Sequence, residues 1–225
     1  MHDFKSPYRR IWSPVLMFLV LMGLYISPKT VFQPRPVKAA ATPVFINEIH
    51  YDNTGTDTAE AVEVAGPAGT NLAGWRLIPY NGSGGASYSP IITLSGTIPN
   101  QSNGYGTLNF AISGLQNGAP DGVALVNASN VVIQFLSYEG TFTATNEAAN
   151  GLTSVNIGVS EAGTEPVGQS LQLIGTGTDY ENFTWSGPIT STPGAINTGQ
   201  SFCGCTQTPV FINEIHYDNT GTDTA

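Results

Sequence analysis

The stretch Thr42-Pro-Val-Phe-Ile-Asn-Glu-Ile-His-Tyr-Asp-Asn-Thr-Gly-Thr-Asp-Thr-Ala59 decides how the chain is read. From Val44 to Tyr51 residue types alternate, with Phe45, Ile49 and Tyr51 on one side and Val44, Ile46, Glu48 and His50 on the other. That period of two predicts a half-buried β-strand. The same eighteen residues return unchanged from Thr208 to Ala225, a tandem repeat with a period of 166 residues. A period this long makes each unit a domain rather than a solenoid turn. Residues 208–225 read as the truncated start of a second copy, so the first copy carries the argument.

Outward from this strand, Asp52-Asn-Thr-Gly55 supplies turn chemistry, and alternation resumes at Glu60 to Ala65. Further short strands are expected at Trp75 to Tyr80, Ile91 to Leu94, Tyr105 to Ala111, Gly122 to Asn127, Val131 to Tyr138, Ser170 to Ile174 and Asn182 to Trp185. Ala128-Ser-Asn130 reads as a tight hairpin connection with Asn130 at positive φ. Gly140 to Gly168 is rich in small residues and weakly periodic, which predicts a long loop. Nine short β segments separated by turn signals argue for a sandwich, two sheets burying their apolar faces against each other. The expected organisation is an N-terminal segment at 1–41, a sandwich at 42–199, a linker at 200–207 and the second copy at 208–225.

Composition agrees with an all-β extracellular domain. Only 10% of the 225 residues are charged, so the strong helix formers Lys, Arg and Glu are few. Of the seven basic residues, Arg76 alone follows Thr42, where it stands against fifteen acidic ones, a formal charge of −14 from Thr42 onward. Nucleic-acid binding rests on clustered Lys and Arg that displace counterions. Direct binding of nucleic acid by this unit is therefore not expected.

Lys5, Arg9 and Arg10 precede an almost wholly apolar run from Ile11 to Ile26, and Ala39-Ala-Ala41 offers small residues for a peptidase. This reads as an export signal cleaved after Ala39 or Ala41, which would place the protein outside the cell or at its surface. The alternative is an uncleaved anchor, because Lys29, Arg35 and Lys38 set equal positive charge after the run. In that case the segment is the chain's membrane contact.

Three motifs together resemble the lamin tail domain family, an immunoglobulin-like sandwich found also in bacterial secreted and surface proteins. Ile46-Asn-Glu-Ile49 is similar to the family's opening strand, Leu72-Ala-Gly-Trp-Arg-Leu77 to its Leu-x-Gly-Trp-x-Leu strand, and Pro193-Gly-Ala-Ile-Asn197 to its closing turn. They occur in order across nearly the whole unit. The resemblance implies an immunoglobulin-like fold and a non-catalytic, accessory role. In bacteria such domains are often attached to exported nucleases or phosphatases of the endonuclease/exonuclease/phosphatase type, or to surface proteins.

Several side chains invite a chemical role. Glu48 and His50 lie two apart on one strand, so a carboxylate and an imidazole share a face. With one His per unit and no His/Cys cluster, a histidine hydrogen-bonded to a neighbour is the favoured reading over a metal ligand. Asp52, Asp57 and Glu60 crowd a Gly/Thr-rich turn, which makes them calcium candidates, although their spacing departs from the calcium-loop pattern and ordinary turn acids are favoured. Trp75 and Trp185 are expected in the core. Tyr80, Tyr88 and Tyr105 lie near Gly-rich loops and offer a glycan-binding surface as an alternative to burial. Arg76 should face away from the core and meet an acidic neighbour. Cys203 and Cys205, in the expected linker, could close a local disulfide, pair with another chain or hold a soft metal within a larger set.

The chain carries no Gly-x-Ser-x-Gly elbow, no His-Glu-x-x-His and no Gly-x-x-x-x-Gly-Lys. The expectation is an exported, non-catalytic β-sandwich module without a cofactor, serving adhesion, spacing or the binding of a protein or glycan. Two alternatives stand beside it: an accessory domain of a secreted nuclease or phosphatase, and a subunit that self-associates by donating residues 209–217 as a strand.

Overall fold

The computed structural model describes residues 43–203. The apolar N-terminal run with Ala39 to Ala41, Cys205 and the second copy at 208–225 lie outside the described residues. Two packed sheets make the described part an all-β sandwich. Strands β1 (Phe45–His50), β2 (Ala61–Pro67), β6 (Tyr105–Ala111), β10 (Gln169–Gly177), β11 (Phe183–Thr190) and β12 (Gln200–Phe202) form the first sheet. Its order is β11-β10-β1-β2-β6, with β12 added in parallel to β10. The second sheet runs β4 (Ala86–Ser87), β3 (Arg76–Asn81), β7 (Asp121–Val126), β8 (Val132–Tyr138) and β9 (Val155–Asn156), with β5 (Ile92–Thr93) also on β3. All nine expected segments are strands. Among the described residues no helix is long and apolar enough to cross a membrane.

The core lies between the sheets. Ile46, Ile49, Val62, Val64, Leu171 and Leu173 from the first sheet meet Leu77, Val123, Leu125, Leu136 and Tyr138 from the second. Tyr51 stacks on Tyr138 at 3.8 Å between ring centroids, tying the end of β1 to the second sheet. Aromatic contacts of this kind add to what burial alone contributes.

β1 differs from the expected half-buried strand in two ways. A bulge between Ile46 and Glu48 takes up one extra residue, so Ile46 pairs with Val64 while Ile49 pairs with Val62. Both isoleucines thereby join the core despite their odd spacing. All six residues of β1 are buried, because the opposite face of the first sheet is covered as well.

The covering segments come from parts of the chain that look irregular. Residues 190–199 lie over Glu48 and Glu63, as the bonds from Thr192 and Gly194 show. On the outer face of the second sheet, Phe142, Ala144 and Ala149 pack on Ile78, Tyr80, Ala124 and Phe135. The region 140–168 has little regular structure, as expected, yet it completes a second apolar layer.

The sandwich does not end at residue 199. Gln200–Phe202 pairs with Gly175 to Gly177, and Phe202 is fully buried against Phe45 and Phe183 at 6.5 and 5.5 Å. An aromatic side chain that removes this much apolar surface from water holds its strand in the sheet. The expected linker 200–207 therefore begins no earlier than Cys203, which is half-buried just after β12.

Candidate functional site

The polar residues of the opening and closing motifs meet on the outer face of the first sheet. Because β1 and β2 are antiparallel, Glu48 and Glu63 are direct cross-strand partners, both buried. Glu48 accepts from Ser170 Oγ at 2.7 Å, from the Thr192 amide at 3.0 Å and from Thr192 Oγ1 at 2.9 Å. Glu63 accepts from Asn47 Nδ2 at 3.0 Å and from the Gly194 amide at 2.6 Å. Gly194 has a φ of 77°, a conformation a side chain would strain, and it is this turn that aims its N–H inward.

Asn197 completes the closure. Its Nδ2 donates to the carbonyls of Asn47 and Leu173, each at 3.0 Å, and Gln200 Nε2 donates to Asn47 Oδ1 at 2.7 Å. Among the described residues, Gln200 Oε1 is a buried side-chain oxygen without a partner. Burial, with the facing Glu48, pushes the Glu63 carboxyl up to about 8, while its Asn47, Gly194 and Thr107 donors act against the rise.

A second cluster lies at the end of β1. His50 Nδ1 is 2.9 Å from Glu161 Oε1, and His50 Nε2 is 3.0 Å from the Thr58 carbonyl. Both ring nitrogens face acceptors, so only the imidazolium donates to both. The bond to Glu161 raises the His50 pKa above its ordinary value, against the effect of burial. Glu161 Oε2 also accepts the amides of Tyr51 and Asp52 at 2.7 and 2.9 Å, and the Glu161 amide donates to the Tyr51 hydroxyl at 2.7 Å. His50 is thus a hydrogen-bonded structural residue, but its partner is Glu161, 111 positions away, and not Glu48 on its own strand.

The calcium candidates separate. Asp52 and Asp57 come together, and burial with the neighbouring Asp57 raises the Asp52 pKa. Glu60 turns aside to accept the Gly114 amide at 2.7 Å. Among the described residues no three His, Cys, Asp or Glu side chains converge on a metal position. The three tyrosines do not form a surface either. Tyr80 is fully buried, the Tyr88 hydroxyl accepts the Gln116 amide at 2.8 Å, and Tyr105 stacks on Phe202 at 4.8 Å.

Other expectations hold in detail. Trp185 is a core residue whose Nε1 donates to the Tyr180 hydroxyl, and Trp75 packs half-buried against the same core. Arg76 Nη1 lies 3.4 Å from Glu147 at the surface, and Asn130 has a φ of 62° in the β7–β8 hairpin. Sequence reasoning passed over Glu63, Glu161 and Gln200. Glu63 looked like a solvent-facing residue of an alternating strand, and Glu161 sits where no periodicity marks it.

Beside Glu48 and His50 opens a groove of about 260 Å³ with walls of Ala61, Ala111, Val167 and Pro193. Its two titratable side chains are bonded to Ser170, Thr192, Glu161 and Thr58, and Asn109 and Ser191 also line it. The arrangement holds strands and a closing turn together. No family model matches the chain, and no curated protein or solved structure is significantly similar to it.

Proposed function

We propose that the protein is an exported, non-catalytic β-sandwich module of the lamin-tail, immunoglobulin-like type, a repeated unit that serves adhesion, spacing or the binding of a protein or glycan outside the cell. One observation carries this reading: the polar residues of the opening and closing motifs bond to each other. Asn197 reaches the backbone of Asn47, and Gly194 and Asn47 both bond Glu63. Motif residues that fasten a fold are what a scaffold domain needs, whereas an enzyme leaves its acids and bases open to substrate. The preponderance of acid over base from Thr42 onward disfavours a polyanionic ligand.

Expression of the full chain in a secreting host tests the reading. The expected result is protein in the medium with a new N-terminus at Ala40 or Thr42 and no turnover of a phosphodiester or phosphomonoester reporter. Retention in the cytoplasm or hydrolysis of either reporter would defeat it. The accessory-domain alternative is decided by the genomic sequence beyond Ala225, where a domain with metal-site motifs would support it and further sandwich copies would not.

A further inference from the structure

β8 is an edge strand for half of its length. β9 pairs only with Leu136 and Ser137, so among the described residues no strand covers residues 132–135 on the side away from β7. On that side the Ile157 amide donates to the Ser137 carbonyl at 2.8 Å, and strand alternation turns the backbone groups of Phe135 the same way. An uncovered strand edge is a template for another extended backbone. The edge of β11 is a poorer one, because Pro188 within it has no N–H to offer.

The β8 edge also opens onto a groove of about 260 Å³. Val44, Ile133, Leu136, Val155 and Tyr180 give it apolar walls, and Glu181 stands among them. Ile133 reaches it as the extra residue of a bulge, since Gln134 pairs with Leu125 and Val132 with Val126. Val155 is 60% exposed, so the apolar wall continues to the surface. A strand laid beside residues 132–135 directs alternate side chains toward this groove and the others outward.

Charge selects the occupant. Glu181 is exposed, and the ion pairs among the described residues are His50 with Glu161 and Arg76 with Glu147, so no cation of the sandwich answers it. From Thr42 onward fifteen acidic residues stand against one basic residue. A second copy seated edge to edge would bring its own Glu181 and a surface of like sign against this one, which is unfavourable. A strand that alternates apolar residues with Lys or Arg satisfies the groove, the carboxylate and the open backbone together. We infer that the β8 edge and its groove are a docking site for an extended, basic segment of a partner protein, which joins the second sheet as a strand beside residues 132–135. This deepens the binding role proposed above by naming the partner's chemistry, and it rests on that reading only there. Export and the lack of hydrolysis are measured separately, so either result can fail without the other.

Titration of a fluorescently labelled hexapeptide, Lys-Val-Thr-Val-Lys-Val, with the full chain tests the inference by anisotropy. Binding should saturate, and Glu-Val-Thr-Val-Glu-Val should bind at least about tenfold more weakly. Glu181→Lys should weaken the basic peptide by about tenfold. Glu147→Lys, which makes the same change of net charge at a residue outside the groove, should leave the affinity unchanged. Methylating one alternate set of the peptide's backbone amides should abolish binding, and methylating the other set should preserve it. Absence of saturation up to about 1 mM protein overturns the inference. So does equal weakening by the two lysine variants, which would reduce the effect to general charge attraction, or retained binding with either set methylated, which would exclude strand addition. A full chain that is dimeric in light scattering and becomes monomeric with Val155→Lys also overturns it, in favour of a second copy as the occupant.

Discussion

Glu161 Oε1 lies 2.9 Å from His50 Nδ1 while Glu161 Oε2 accepts the amides of Tyr51 and Asp52, so one carboxylate from an irregular segment fastens the end of the central strand. Glu161→Ala removes at once the partner of a buried imidazole, of the buried Tyr51 amide and of the part-buried Asp52 amide. The expected loss is about 3–5 kcal/mol in denaturant unfolding. A loss below about 1 kcal/mol would mean that water replaces the carboxylate without penalty.

Stability should decline as pH rises from 5 to 9. Glu63, from 4.5 to about 8, and His50, upward from 6.5, have folded pKa values raised above their unfolded ones, and Asp52 and Asp121 are raised from 3.8 in the same sense. Each favours folding fully below its unfolded value, and that contribution is lost as pH rises through the folded value. Glu63→Gln should flatten the profile between about 4.5 and 8, and His50→Asn should flatten it above about 6.5. Melting curves at stepped pH check both, and a wild-type profile that rises across this range would contradict the assignment.

The closing turn should depend on Asn197. Its Nδ2 is a donor to two buried carbonyls, Asn47 and Leu173, so Asn197→Ala takes a donor from both. The expected cost is about 2–4 kcal/mol, with Asn197→Asp no better, since it offers no donor when ionised. Equilibrium unfolding in urea gives the value. An unchanged midpoint would assign the closure to Gly194 and Thr192 alone.

Phe202 belongs to the core although it follows the expected domain end. Phe202→Ala should cost about 3–5 kcal/mol, comparable to truncating any buried phenylalanine. Ser201→Ala, on the exposed residue beside it, should leave unfolding unchanged. Equal effects from the two would place β12 outside the cooperative unit.

The Asp52–Asp57 pair should behave as a site of like-charge repulsion. Asp57→Asn is expected to raise the melting temperature at pH 7.5, and the gain should vanish at pH 3, below the raised Asp52 pKa, where Asp52 no longer carries the opposing charge. Since Glu60 is held by Gly114, millimolar calcium is expected to leave the wild-type melting temperature unchanged. A rise with calcium that Asp57→Asn abolishes would establish a cation site at this turn.

What the sequence by itself determined was local. Alternation at Glu60 to Ala65, the Ala128-Ser-Asn130 hairpin and the apolar runs around Leu77 and Leu125 each carry their signal within a few residues, because a strand's period and a turn's φ are short-range properties. The duplication of residues 42–59 is legible in the same way. Tertiary structure decided what long-range pairing controls: the partner of His50 is 111 positions away, that of Glu48 is 144, and that of Asn47 is 150. No local pattern marks Glu161 as buried or Phe202 as core, since both owe their burial to segments folded over the sheets from elsewhere in the chain. The bulge that brings Ile46 beside Ile49 in the core belongs to the pairing with β2, and only the assembled sheet could reveal it.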